Sequence, residues 1–329
     1  MRKDQQLSKK YKKNQHFENV QNSMNEQLSI AQNDILNTEI EENFSTIHIL
    51  GAPRSGTTLI SQLIPSFLPV GYINNLIASF WKAPIYGIEL SKKLIKEDYK
   101  SSFKSDYGRT NGIKEPHEFG YFWNYHLKYD SLAQKEKKHE KNINWTHLAL
   151  LMNNMTASFE KPIVFKSFLL GFHAAELQKY LTKTKFIYIK RNLVDNVLSI
   201  IKLRKTLNGD INAWGSIKPK QYAFLKDLNI YEQIVGQILC LEHEYLQQLK
   251  NIPQSNKMIV SYEQICQDPE MFLNTINQKF LKGNAKGDFQ NIPNFKTKKN
   301  DINTHEYDKI ITAKTKILKQ FPELSDTEI

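Results

Sequence analysis

Thr46-Ile47-His48-Ile49-Leu50 runs directly into Gly51-Ala52-Pro53-Arg54-Ser55-Gly56-Thr57-Thr58-Leu59-Ile60. The first five residues are apolar and β-branched enough for a short buried strand, and an amphipathic helical pattern begins after Gly56. A strand, a glycine-bounded loop and a helix together aim backbone N–H groups and a helix N-terminus at one point, where an anion is stabilised. Gly51 and Gly56 allow a close backbone approach that a Cβ would block. Thr57 and Thr58 add hydroxyl donors in the first turn. The spacing is that of the nucleotide loop G-x-x-x-x-G-K-[ST], except that Thr57 stands where the lysine belongs. That lysine reaches the β- and γ-phosphates, so its loss argues against an ATPase or GTPase. The positive charge has moved into the loop as Arg54.

Working outward, residues 162–166, 185–189 and 258–262 repeat the strand signature, while 192–205 and 231–249 carry apolar residues at three- and four-residue intervals. Strands alternating with helices predict an α/β fold with a parallel sheet covered on both faces. The expected fold is of the P-loop nucleotide-kinase type, flanked by helices and forming one domain over residues 44–329. Residues 81–159 have helical patches and many aromatics but no clear strand, which predicts a helical insertion shaping an acceptor cleft. Residues 1–43 are rich in Lys, Gln, Asn and Glu and poor in aromatics. Such a segment buries too little apolar surface to offset its ordering entropy, so a disordered or partly helical tail is expected.

The strand at 185–189 ends in Lys190-Arg191-Asn192-Leu193-Val194-Asp195-Asn196-Val197-Leu198-Ser199. Asn192 is a good N-cap, and Asp195 favours the helix start through the dipole. Arg191 therefore sits at the carboxyl end of the sheet, where ligands bind in such folds. Read on its own, Arg191 is equally at home in a surface salt bridge and Ser199 in helix packing.

The two stretches together resemble the PAPS-dependent sulfotransferases, in the branch of bacterial, carbohydrate and protein-tyrosine members with a P-R-S-G-T-T loop. In that family the segment Arg54, Ser55, Gly56, Thr57 and Thr58 would hold the 5′-phosphosulfate of 3′-phosphoadenosine 5′-phosphosulfate (PAPS). The pattern R-N-x-x-D-x-x-x-S resembles the family's 3′-phosphate motif, which implies that Arg191 and Ser199 contact that phosphate. Arginine offers paired donors matching phosphate oxygens, and serine adds one more. Ile259-Val260-Ser261-Tyr262-Glu263 is similar to a late strand ending in Y-E, implying that Tyr262 lies near the adenine. The basic run Lys296-Thr297-Lys298-Lys299 falls where the family often has a loop closing over the nucleotide, but it has no close motif match there and a solvated charge run explains it better.

The reaction implied is in-line attack of an acceptor hydroxyl on sulfur. Arg54 and Lys166 are the candidates for stabilising the leaving oxygen, Lys166-Ser167 resembling the family's K-[ST] element. The sequence departs from two branches over the base. Where cytosolic small-molecule members carry a catalytic histidine, this chain has Phe168. Where protein-tyrosine members carry a glutamate, it reads Gly71-Tyr72-Ile73-Asn74-Asn75. Either attack relies on positioning alone or the base lies elsewhere, which leaves the polar cluster Lys114-Glu115-Pro116-His117-Glu118. His117 leads because an unperturbed pKa of about 6.5 suits proton abstraction, with Glu115 and Glu118 as alternatives, and a helix is expected to start at or after Pro116.

Composition sets the outer bounds. The 329 residues carry a net charge of +11, pointing to an anionic partner or to a Lys-rich solvated surface. Cys240 and Cys266 have no metal-ligand spacing and read as buried thiols. No run approaches the roughly 18 apolar residues of a membrane span, and the charged start lacks a secretory core, so a cytoplasmic protein is expected. A sugar is the favoured acceptor class, with no metal and no nucleic acid partner. The alternatives are a small-molecule kinase on the same loop and a non-enzymatic binder of polyanions.

Overall fold

The computed structural model describes residues 14–96, 99–283, 289, 291–297 and 304–327. Five strands, β1 (Thr46–Gly51), β2 (Gly71–Tyr72), β3 (Ile163–Lys166), β4 (Lys185–Lys190) and β5 (Lys257–Ser261), form one sheet in the order β2-β3-β1-β4-β5. Every pairing is parallel. The helices are α1 (Gln15–Ile35), α2 (Thr57–Phe67), α3 (Asn75–Ala78), α4 (Pro84–Leu94), α5 (Gly120–His126), α6 (Trp145–Phe159) and α7 (Ala174–Tyr180). They continue with α8 (Leu193–Leu203), α9 (Tyr222–Leu225), α10 (Ile230–Lys250), α11 (Tyr262–Gln267), α12 (Pro269–Phe280) and α13 (Thr304–Gln320).

Strand periodicity sorts the core into two layers. Ile47, Ile49, Val164, Ile187 and Ile189 face one side with Ile60, Leu63 and Ile64 of α2 and Phe272, Leu273 and Ile276 of α12. Leu50, Phe165, Phe186 and Tyr188 face the other, against α6, α7 and α10. His48 lies in that second layer, its ring stacked on Phe165 and Phe186. Burial pushes its pKa down to about 3, so it is a neutral core residue. The central strand β1 has β3 on one side and β4 on the other, so the order reverses there, and the crevice above such a reversal is where α/β sheets bind ligands.

The four strands read from sequence are present, with ends shifted by a residue. The edge strand β2 was not anticipated, because two residues hold no alternation to recognise. Residues 81–159 contain α4, α5 and α6 and no named strand. In the N-terminal segment the structure has more order than composition suggested. Asn25, buried, donates from Nδ2 to Ser79 O at 2.8 Å and accepts the Lys82 N–H at 2.9 Å. Gln32 accepts the Ile85 N–H at 2.9 Å and donates to Lys82 O at 3.2 Å. Helix α1 is thus docked by buried amides, which an apolar count does not register. Residues 1–13 lie outside the described residues, as do Lys298 and Lys299 of the basic run.

Candidate functional site

The loop after β1 turns twice through left-handed backbone, at Arg54 (φ 69°) and Gly56 (φ 106°). Gly56 is the N-cap of α2. Ser55 is fully buried, and its Oγ has no hydrogen-bond partner. An orphaned hydroxyl in a loop lined by N–H groups fits an anion seated there. A Cβ on Gly51 would lie 2.5 Å from Ser55 Oγ and 2.8 Å from Ile189 O. On Gly56 it would collide with the Tyr262 ring. Gly56→Ala therefore faces both a steric clash and a backbone penalty of about 1 kcal/mol or more. Its expected result is a lowered melting temperature, checked by calorimetry.

Strand β4 delivers Arg191 beside this loop, and α8 delivers Ser199. Arg191 Nη1 donates to Arg54 O at 2.9 Å, and Arg54 Nε donates to Ser199 Oγ at 3.1 Å. The Asn192 side chain caps α8 by accepting from Asp195 N at 3.2 Å. Tyr262 lies between the two motifs, its ring against Gly56 and 4.7 Å from the Arg191 guanidinium. Burial lowers the Arg54 pKa, and the like charge of Arg191 lowers it further. Two guanidinium groups held this close gain most from an intervening anion.

Strand β3 ends in Lys166, level with Ile49 of β1. The buried ammonium donates to Thr58 Oγ1 at 2.8 Å and pairs with Glu118 Oε1 at 2.7 Å. Glu118 arrives there because residues 114–119 pair with the chain leaving β2: Asn75 N donates to Glu115 O at 3.0 Å and His117 N to Ile73 O at 2.8 Å. The three candidate bases separate accordingly. Glu118 reaches the loop and is partly exposed.

Glu115 is buried away from it, accepting from Gln62 Nε2 at 3.0 Å, Tyr99 OH at 2.9 Å and Ser102 N at 3.0 Å. Desolvation works to raise its pKa, but the bonds from Ser102, Gln62 and Tyr99 prevail and lower it. A native value below the unfolded one stabilises the protein above about pH 4.5, and that stabilisation is lost as pH falls through the native value. Glu115→Gln is accordingly expected to cost about 1–3 kcal/mol at neutral pH. The deficit should shrink on the acid side of 4.5, as read by denaturant unfolding at several pH values.

His117 is exposed, and its Nδ1 accepts the Phe119 N–H at 2.9 Å. The neutral ring with that bond carries its proton on Nε2, leaving no lone pair for an acceptor proton. The helix expected from Pro116 onward starts at Gly120, after Phe119 in left-handed conformation (φ 54°). Phe168, at the histidine position of other branches, packs on the core.

One neighbour escaped the sequence reading altogether. Residues 106–109 form a tight turn with reciprocal backbone bonds between Asp106 and Arg109. It places the Tyr107 ring 5.4 Å from the Arg54 guanidinium and its hydroxyl 2.9 Å from Thr206 Oγ1. A Cβ on Gly108 would stand 3.6 Å from Thr58 Oγ1 and 3.7 Å from Glu118 Oε1. The turn stands beside Thr58 and Glu118. Asp106 and Gly108 are turn formers, the signal that was there to read.

A parallel sheet with a phosphate-type loop at its reversal point is the architecture of P-loop-like α/β proteins. The chain belongs to the sulfotransferase family, whose model matches residues 46–280. Among solved structures it is similar to sulfotransferase STF1 from Mycobacterium tuberculosis H37Rv, at 12% identity over 89% of this chain and 81% of that one, with a TM-score of 0.50. Sulfotransferase STF9 from Mycobacterium avium also matches, at 13% identity over 90% and 73%, with a TM-score of 0.46. At 12% identity the likeness to STF1 is one of fold. No curated protein sequence matches the chain. It is a sulfotransferase by family. Among the described residues no helix is long and apolar enough to cross a membrane, and no group of three ligating side chains could hold a metal ion. Cys240 and Cys266 are buried and free.

Proposed function

We propose that the protein transfers the sulfuryl group of PAPS to a hydroxyl of a carbohydrate acceptor. The observation that carries the donor is the meeting of Arg54, Arg191 and Ser199 beside the buried orphan hydroxyl of Ser55. Residues 51–58 take the 5′-phosphosulfate, Arg191 and Ser199 the separate 3′-phosphate, and Tyr262 braces Arg191 at the nucleotide's edge. ATP has no group for that second site, and family membership removes the ground for the kinase alternative. The sugar reading is supported by the mixed aromatic and polar residues of 81–159 and the positive net charge.

Glu118 is assigned as the base. Its carboxylate takes the acceptor proton as the acceptor oxygen bonds to sulfur, the bond from sulfur to the bridging oxygen breaks, and the 5′-phosphate oxygen leaves with the electron pair. Lys166, 2.7 Å from that carboxylate and bonded to Thr58 of the loop, stands where negative charge grows on the departing oxygen. The loop and the 106–109 turn supply position, which converts a bimolecular encounter into an oriented one.

Two measurements test this. The protein should bind 3′-phosphoadenosine 5′-phosphate without magnesium and in preference to magnesium ATP. Radiolabelled PAPS should pass its label to fractionated glycans rather than to lipids or small phenols. Binding of magnesium ATP in preference to the bisphosphate would remove the donor assignment, and label confined to phenols would remove the sugar.

A further inference from the structure

Beyond α8 the chain winds through one π-turn, Arg204–Asn208, a wider turn that recurs at functional sites. Its first residue holds a charge that no carboxylate among the described residues balances. Arg204 is fully buried. Nη1 donates to Gln233 Oε1 at 2.8 Å, and the Trp214 ring lies across the guanidinium at 5.0 Å. Nε and Nη2 have no hydrogen-bond partner. Burial lowers the pKa to about 10, with Tyr222 the opposing influence; no carboxylate of the described residues contributes. A buried cation without a counter-charge destabilises a fold, so retaining one implies a use for it.

The geometry of the orphaned groups says which use. Nε and Nη2 are the two donors on one edge of the guanidinium, the edge that meets both oxygens of a carboxylate, sulfate or phosphate in parallel hydrogen bonds. The guanidinium lies under the Trp214 ring and its stem beside Gly215. Residues 209–212 of the same loop are exposed, Gly209 and Ser216 lie in left-handed backbone, and the half-buried Trp214 packs edge-on against Tyr222 at 4.8 Å and is tied to Ile217 O by one long bond of 3.4 Å. The turn adjoins the candidate site. Leu203 at the end of α8 and Leu207 of the turn clasp Tyr107, which also bonds Thr206 and faces Arg54. Ser199 lies on the same helix.

We propose that the Nε–Nη2 edge of Arg204 binds an oxyanion carried by the acceptor, admitted when Trp214 swings aside. The word acceptor rests on the sulfuryl-transfer reading; the anion site does not.

The test uses the full chain saturated with 3′-phosphoadenosine 5′-phosphate, so that the donor site is filled. Inorganic sulfate should then bind saturably, and Arg204→Met should weaken it by about tenfold or more. The source is decided by p-nitrophenyl β-D-glucuronide against the matching glucoside, which lacks the carboxylate. The glucuronide should bind about tenfold more tightly, an advantage lost in Arg204→Met and reduced in Arg204→Lys, which keeps the charge but not the fork. Free Arg204→Met should also melt above the wild type, because an unbalanced buried charge has gone. Sulfate binding that Arg204→Met leaves intact, or none in the wild type, overturns the site. Saturable sulfate with equal glycoside affinities overturns its assignment to the acceptor. A melting temperature lowered in Arg204→Met makes the guanidinium a structural element and overturns the proposal. Failure of the nucleotide itself to bind would strike the donor reading instead, and the difference in sulfate binding between wild type and Arg204→Met would still decide the anion site.

Discussion

Glu118→Gln is expected to lower kcat for sulfuryl transfer by roughly 10²–10⁴ while donor affinity stays near the wild-type value. The amide keeps the shape and a hydrogen bond to Lys166 but cannot take a proton. Loss of charge also releases Lys166 from its partner at 2.7 Å, so a second variant separates the two effects. Glu118→Asp retains a base on a shorter arm and should recover part of the rate. His117→Ala should keep most activity, because the His117 Nδ1 lone pair is spent on the Phe119 N–H. An inactive His117→Ala beside an active Glu118→Gln would make the imidazole the base.

The geometry of the two anion-facing stretches was legible in the sequence and that of residues 114–118 was not, for physical reasons. Arg54, Ser55, Gly56, Arg191 and Ser199 lie within two short stretches, each behind a strand whose register is fixed by the sheet. Local spacing therefore sets their geometry. Glu115, His117 and Glu118 are neighbours in sequence, yet one is buried in hydrogen bonds, one caps a left-handed turn and one reaches the loop. What divides them is the pairing of 114–119 with the residues after β2, a strand too short to read. Tyr107 and Arg204 belong to the same class. Each gains its place from a partner nearly a hundred or about thirty positions away. In α1 the docking groups are amides, which a composition reading assigns to solvent.

Arg191→Ala is expected to weaken 3′-phosphoadenosine 5′-phosphate by roughly 2–4 kcal/mol, the value of a charge-assisted pair to a desolvated phosphate. That is about thirty- to several-hundred-fold in the dissociation constant, measurable by titration calorimetry. Arg191 also holds Arg54 O and stacks over Tyr262, so its removal can act through the loop as well as on the phosphate. Adenosine 5′-phosphosulfate, which has no 3′-phosphate, distinguishes the routes. Equal affinity of wild type and Arg191→Ala for that ligand places the whole loss at the 3′-phosphate. A comparable loss for both ligands makes Arg191 a brace for the loop, and the 3′-phosphate assignment fails. Arg191→Lys sharpens the comparison: it keeps the charge but loses the paired donors, so it should fall between the two. Ser199→Ala should add a smaller loss of about 1 kcal/mol, because it removes one neutral hydroxyl and frees Arg54 Nε from its bond at 3.1 Å. Should Ser199→Ala exceed Arg191→Ala, the phosphate lies on α8 rather than at the end of β4.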